Sequence, residues 1–142
     1  MPLNEGAISI NADTRSINLD NSPFKKGAVV QRDKNAEMVV FTIDRFIDNM
    51  DLANADQIYV QWTAPDGYGG VREKATPIEL IDLEGDENGQ IKFGWPIDDE
   101  VTLYNGIVQF SVTFFKFDPN KTNSVEYRLN TLPASFEVKK AL

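Results

Sequence analysis

The stretch Ile107–Phe117 reads Ile-Val-Gln-Phe-Ser-Val-Thr-Phe-Phe-Lys-Phe, and it decides the fold class of this chain. From Val108 to Phe114 every second residue is apolar and the residues between are polar, which gives two sets: Val108, Phe110, Val112 and Phe114, and Gln109, Ser111 and Thr113. Side chains alternate across a β-strand, so this pattern predicts a strand with one face in a core and one polar face. Similar segments recur along the chain, and no long helical periodicity competes with them. The sequence therefore predicts an all-β protein.

Turn signals between the strand-like segments favour an antiparallel two-sheet β-sandwich, immunoglobulin-like or jelly-roll-like. Pro65–Gly70 is typical of a flexible turn, and Asn88-Gly89 is a strong hairpin signal. Pro77 should push a strand at Thr76–Leu83 to a sheet edge, and Asp51 should cap one helical turn. The predicted core consists of Val39, Phe41, Ile43, Ile58, Val60, Trp62, Ile91, Phe93, Trp95, Val108, Phe110, Val112, Phe114, Tyr127, Leu129, Phe136 and Val138.

The chain divides into an extended N-terminal arm or outer hairpin, residues 1–36, and a sandwich domain, residues 37–142. The arm has too little apolar mass to fold alone, so it must pair with the main domain or with a neighbouring subunit. We therefore expect it to be a docking element whose removal leaves the sandwich folded. Phe115 and Phe117 lie on the parity opposite Phe110, so either a bulge swaps the faces or these rings cover a second surface. The candidate partner-binding residues are Ile8, Ile10, Ile17, Leu19, Phe24, Phe115 and Phe117.

Composition excludes several classes of chemistry. The 142 residues include no His and no Cys, which excludes His-based acid–base catalysis, Cys–His nucleophiles and His/Cys metal sites. The net charge of −8 disfavours nucleic acid as a partner. No apolar run approaches the ~20 residues of a membrane span, and the N-terminus lacks the features of a secretory signal. We expect a non-enzymatic protein without a cofactor, made in a cytoplasm.

Three local patterns allow a chemical and a structural interpretation. Glu84, Asp86 and Asn88 have the spacing of a calcium loop, but Trp95 stands where the loop needs a Glu, so a hairpin tip is favoured. The run Asp98–Glu100 fits a helix N-terminus better than a facing pair of glycosidase carboxylates. Exposed aromatics would mark a protein contact or a sugar platform, for which the candidates are Tyr59, Tyr68 and Tyr104.

The order of several short segments resembles a β-sandwich module of virion structural proteins from tailed bacteriophages and prophages, including baseplate-type and head-fibre-type attachment domains. The segments that carry the resemblance are Ile8–Ile10, Arg15–Leu19, Phe41–Phe46 with Asp48 and Asp51-Leu52, Ile58–Val60, Ile91–Trp95, Gly106–Phe110 and Leu129–Ala134.

This resemblance implies a non-enzymatic virion protein attached to the capsid or neck as a decoration, head-fibre-base or auxiliary component. It further implies a homo-oligomer that assembles in the host cytoplasm and binds other phage structural proteins, such as the major capsid, neck or tail protein. A tail or baseplate component is one alternative. A carbohydrate- or receptor-binding sandwich is the other.

Overall fold

The computed structural model describes residues 8–19, 29–32, 37–82, 89–120 and 124–141. These residues form twelve strands, numbered in chain order: β1 Ile8–Ile10, β2 Ile17–Asn18, β3 Glu37–Asp44, β4 Phe46–Ile47, β5 Met50–Asp51, β6 Gln57–Pro65, β7 Val71–Pro77, β8 Glu79–Asp82, β9 Gln90–Ile97, β10 Gly106–Phe117, β11 Val125–Asn130 and β12 Ala134–Val138. A 3-10 turn at Leu52–Asn54 is capped by the Asp51 side chain, as predicted. No helix within the described ranges is long and apolar enough to cross a membrane.

Two five-stranded sheets make up the body of the protein, and β4 and β5 form a small separate hairpin. The first sheet has the order β2-β1-β3-β9-β8. In the second, the order is β11-β10-β6-β7, and β12 pairs with β10 beyond the end of β11. Most pairs are antiparallel, but β1 runs parallel to β3. The predicted all-β sandwich is therefore confirmed, with one parallel pair that the sequence did not predict.

Aromatic rings join the inner faces of the two sheets. The Phe93 ring on β9 meets the Phe114 ring on β10 edge to face, with 5.4 Å between their centroids. The ring of Trp95 on β9 likewise contacts that of Phe110 on β10, with 5.2 Å between the centroids and an angle of 47° between the ring planes. Such offset and edge-to-face pairs contribute about 0.5–1.5 kcal/mol beyond the burial of their area. Every residue of the predicted core is buried except Tyr127, which is half-buried because its hydroxyl reaches outward to donate to the Asp51 carbonyl.

In the described part of the N-terminal segment, β1 and β2 form an outer hairpin that pairs with the main domain, one of the two arrangements that the sequence left open. β1 lies against β3, and its residues Ile8 and Ile10 are 0% and 3% exposed. The turn after β1 reaches the other sheet, where the backbone N–H of Leu132 donates to the Arg15 carbonyl. Residues 29–32 are also tied in, since the Lys139 N–H donates to the Val29 carbonyl and the Gln31 N–H donates to the Lys139 carbonyl. The described residues of this segment therefore make contacts with both sheets.

Strand β7 begins earlier than the sequence indicated. We expected a strand only from Thr76, yet pairing with β6 starts at Val71. The intervening Arg72, Glu73 and Lys74 do not alternate in polarity, but an edge strand tolerates charge because one of its sides faces solvent. Pro77 ends β7, and the chain crosses at Ile78 to the edge of the first sheet, so the predicted edge position is confirmed.

A threonine completes the pairing of the longest strand. β10 pairs with β6 on one side, and on the other side it pairs first with β12 and then with β11. In the gap between β11 and β12, the Val112 N–H donates to the Thr131 hydroxyl oxygen at 2.9 Å. The Thr131 N–H donates to the Val112 carbonyl at the same distance. This buried threonine therefore leaves neither backbone group of Val112 unpaired.

Replacing Thr131 with valine should destabilise the fold by about 1–3 kcal/mol, because it leaves the buried N–H of Val112 without an acceptor. Urea unfolding followed by tryptophan fluorescence measures the difference. Thr63→Val on the outer face of β6 is the matched control and should change stability by no more than about 0.5 kcal/mol. Equal effects of the two substitutions would contradict the role given to the Thr131 hydroxyl.

Ile8→Ala should lower the free energy of unfolding by about 2–5 kcal/mol, since it opens a cavity between β1 and β3. Ser9→Ala, one residue along and exposed, is the control for the strand itself. A stability loss below about 1 kcal/mol in Ile8→Ala would mean that the segment is a detachable arm after all.

Candidate partner-binding surface

One end of the sandwich exposes a group of large apolar side chains. The loop between β6 and β7 carries Tyr68, which is 90% exposed, and β7 opens with Val71, which is 60% exposed. The turn before β10 adds Leu103, which is also exposed, and Tyr104, which is half-buried. We call these four residues the hairpin-tip patch. Clusters of this kind on a soluble protein mark interaction sites more often than single exposed residues do.

Hydrogen bonds fix the loop that presents Tyr68. The Asp66 carboxylate accepts hydrogen bonds from the backbone N–H groups of Tyr68 and Gly70, at 2.7 and 3.0 Å. The Asp66 N–H in turn donates to the Gly70 carbonyl. Gly67 has a positive φ of 85°, and a β-carbon there would lie 2.7 Å from the Tyr104 ring. The turn that the sequence marked as flexible is thus tied together and packed against Tyr104.

Arg72 packs against the hairpin-tip patch through the ring of Tyr104. The Arg72 guanidinium lies 5.7 Å from the Trp62 ring centroid and 5.8 Å from that of Tyr104. Its Nε donates to the Pro65 carbonyl at 3.2 Å. Cation–π contacts of this geometry stabilise by about 0.5–1 kcal/mol at exposed sites. Tyr104 is therefore held between Gly67 and Arg72 and has little freedom to rearrange on binding.

The outer face of the second sheet is a separate feature. Its outward side chains at the centre are polar or small, and two shallow depressions of about 440 and 530 Å³ run along it. The depressions adjoin, since Gln61 and Ala75 line both. Tyr59, one of the aromatics singled out from the sequence, lines the second depression and is half-buried.

Phe115 and Phe117 lie at the end of this face remote from the hairpin-tip patch. Their ring centroids are 4.8 Å apart, and the Arg128 guanidinium lies over the Phe115 ring at 5.0 Å. Phe115 is 9% exposed and Phe117 is 49% exposed. The pairing of β10 with β11 shifts register between Lys116 and Phe117. The shift comes after Phe115, which keeps its register with Gln57 on β6, so it does not turn this ring inward and the rings cover a second surface.

The remaining sequence candidates are not grouped with that surface. Ile8 and Ile10 are buried in the core, and Ile17 and Leu19 are half-buried and pack against it. Phe24 lies outside the described residues. The side chains of Ile8 and Ile10 cannot contact a partner while β1 stays in its sheet. Sequence reasoning missed Val71, Leu103 and Ile107, and only the exposure of these apolar side chains in the fold identifies them.

The acidic candidates have structural roles where they are described. The Asp98 carboxylate accepts hydrogen bonds from the N–H groups of Glu100 and Val101, which caps a turn that does not continue as a helix. Glu100 forms an exposed ion pair with Lys74. No group of three or more acidic side chains in the described ranges is placed to hold a metal ion. The calcium-like stretch at 84–88 lies outside those ranges.

A third depression of about 350 Å³ contains a bonded network around Asp51. Arg45 binds this carboxylate in bidentate fashion at 2.8 and 2.9 Å. The hydrogen bond from Arg45 lowers the pKa of Asp51 from 3.8, partial burial opposes it, and the Ala53 N–H adds to the lowering. Burial, together with the nearby negative charge of Asp51, raises the pKa of Tyr127 to about 12. The network links β5 to β11, and it gives the polar groups of these side chains hydrogen-bond partners within the protein.

Searches against protein-family profiles and against curated proteins find no match to this chain.

Asp51→Asn should reduce stability at neutral pH by about 1 kcal/mol, because it weakens the hydrogen bonds from Arg45. The pKa of Asp51 is lowered in the folded state, so its contribution is present above pH 3.8 and is lost as the pH falls through the lower folded value. The gap between wild type and variant should therefore close on acidification. Chemical unfolding at a series of pH values measures it, with Asp99→Asn as the control. A gap independent of pH would contradict this role.

Proposed function

We propose that this chain is a non-enzymatic structural component of a tailed-phage virion, attached to the capsid or neck as a decoration, head-fibre-base or auxiliary protein. Its partners are other phage structural proteins, and it assembles with them in the host cytoplasm as a homo-oligomer. The order of sequence segments supports the choice of a virion module. The hairpin-tip patch is the single observation that supports attachment through an apolar contact.

The hairpin-tip patch suits a docking role for two physical reasons. Tyr68 and Tyr104 are aromatic residues with a polar hydroxyl, a class enriched among the residues that contribute most to protein interfaces. The loop is also fixed in advance by the Asp66 hydrogen bonds and by Tyr104. Pre-organisation reduces the entropy lost on binding, so a small patch can hold a partner.

A double variant, Tyr68→Ser with Val71→Thr, should remove much of this contact. Loss of one interface anchor costs about 2 kcal/mol, which is about 30-fold in affinity. In particles purified from the phage that encodes this chain, the number of copies per particle, measured by quantitative mass spectrometry, should fall accordingly. Phe46→Ser is the matched control, because Phe46 is 64% exposed but lies on the β4–β5 hairpin.

Two results would overturn the proposal. If wild-type protein is absent from purified particles, the virion assignment fails. If the double variant is incorporated at wild-type occupancy, the hairpin-tip patch is not the docking element. A cryo-EM map of the particle separates a capsid or neck position from the alternative of a tail or baseplate position.

A carbohydrate- or receptor-binding role is the second candidate, and the nearly complete exposure of Tyr68 favours it. An exposed tyrosine ring offers a flat apolar surface with a hydrogen-bonding hydroxyl at its end. Wild-type protein without signal on a glycan array, or with signal that Tyr68→Ser leaves unchanged, would exclude this use of the hairpin-tip patch.

A further inference from the structure

The outer face of the second sheet has a central strip without charge. Neither the outward positions of β6, from Gln57 to Pro65, nor those of β10, from Ile107 to Phe115, carry an ionisable acid or base other than the Tyr59 hydroxyl. The open centre holds Gln61, Thr63, Gln109 and Ser111. A quarter of the chain is charged and the net charge is −8, so this strip differs from the average surface. Depletion of charge at the centre of a patch is a feature of protein interfaces.

Charged residues stand at the rim of this strip. Glu73 on β7 lies beside Thr63, and Glu137 on β12 forms an exposed ion pair with Lys139. Glu137 on β12 pairs with Ile107 at one end of β10. Arg128 on β11 pairs with Phe115 at the other end. Both Glu137 and Arg128 are exposed, and both lie on the same side of β10.

The register makes these two ends symmetric about the middle of the strip. Ser111 on β10 pairs with Gln61 on β6. Ile107 lies four residues before Ser111, and Phe115 lies four residues after it. A two-fold rotation about an axis through the Gln61–Ser111 row, at right angles to the strands, therefore exchanges the Glu137 end with the Arg128 end.

We propose that two copies of this chain pack face to face through this strip about that two-fold axis. Arg128 of each copy then meets Glu137 of the other, so the interface contains two opposite-charge contacts at its rim. Ile107, which is 60% exposed, meets the ring pair of Phe115 and Phe117 in the same way. An isologous contact needs such a self-complementary surface. The uncharged centre also lets two chains of charge −8 approach without placing like charges against each other.

Strand dimensions bound the size of this contact. The nine residues from Ile107 to Phe115, eight steps along the strand, give a length of about 26 Å, and four strands give a width of about 19 Å. This is small for a specific dimer, so we expect association in the micromolar range. The inference names the oligomer within the proposed function, but it does not need the virion assignment.

Charge reversal tests the pairing directly. Sedimentation velocity of the purified full chain, over low to high micromolar concentrations, should show a monomer–dimer equilibrium. Arg128→Glu and Glu137→Arg should each raise the dissociation constant by about 100-fold, since each places like charges together twice. The double variant should restore the wild-type constant, because its charges are again complementary. The matched controls are Arg32→Glu and Asp13→Lys, which change exposed charges outside the strip.

Ser111→Lys provides an independent test. Because Ser111 lies on the two-fold axis, the substitution places two lysines, one from each copy, against each other. It should abolish the dimer, while circular dichroism shows the sheet unchanged. The proposal is overturned if the wild-type protein stays monomeric at every concentration. It is also overturned if Ser111→Lys leaves the dimer intact, or if the folded double variant does not regain the wild-type dissociation constant. Incorporation into particles is a separate measurement, so failure of the dimer and failure of the virion role are distinguishable.

Discussion

The fold depends on the pairing of β10, which is hydrogen-bonded on both sides. β6 covers one side, and β11 and β12 share the other. Because β10 is longer than either β11 or β12, its backbone groups at Val112 fall in the gap between these two strands. Thr131 makes hydrogen bonds with both of these groups. The inner side chains of β10 then lie in register against the rings of β9. The sandwich core follows from that register, since a shift by one residue would turn Phe110 and Phe114 to the outside.

One edge of the second sheet, strand β7, is protected against pairing with another chain, while the outer face and the hairpin tip stay open for contact. Edge strands offer unpaired backbone groups, and inward-pointing charges or proline discourage pairing with another chain. β7 carries Arg72 and Lys74 on the side of its inward neighbour Trp62, and it ends at Pro77. Arg72 packs between aromatic rings, and Lys74 pairs with Glu100. Association through the side of the sheet is therefore disfavoured, whereas the outer face and the hairpin-tip patch carry exposed apolar groups.

Local alternation predicted the core well because, in a strand with one buried face, the buried residues are every second residue along the chain. For the same reason, it left the partner of the N-terminal segment open. Ile8-Ser9-Ile10 alternates like any short strand, but nothing in those residues states that β3 is the neighbour. That parallel contact joins residues far apart in the chain, and it turns two candidate contact residues into core residues. The opposite error concerns three apolar residues that the fold leaves exposed, namely Val71, Leu103 and Ile107. Their apolar character alone would place them in the core.

The sequence by itself determined the all-β class, the sandwich, most of the core and the capped turn at Asp51. Each of these follows from side-chain periodicity or from residues close along the chain. Only the tertiary structure decided which apolar residues stay exposed, where opposite charges stand along the outer sheet face, and how the Asp66 loop presents Tyr68. These properties arise when distant strands come together in one register, and the energies that select a register belong to pairs of residues rather than to single positions.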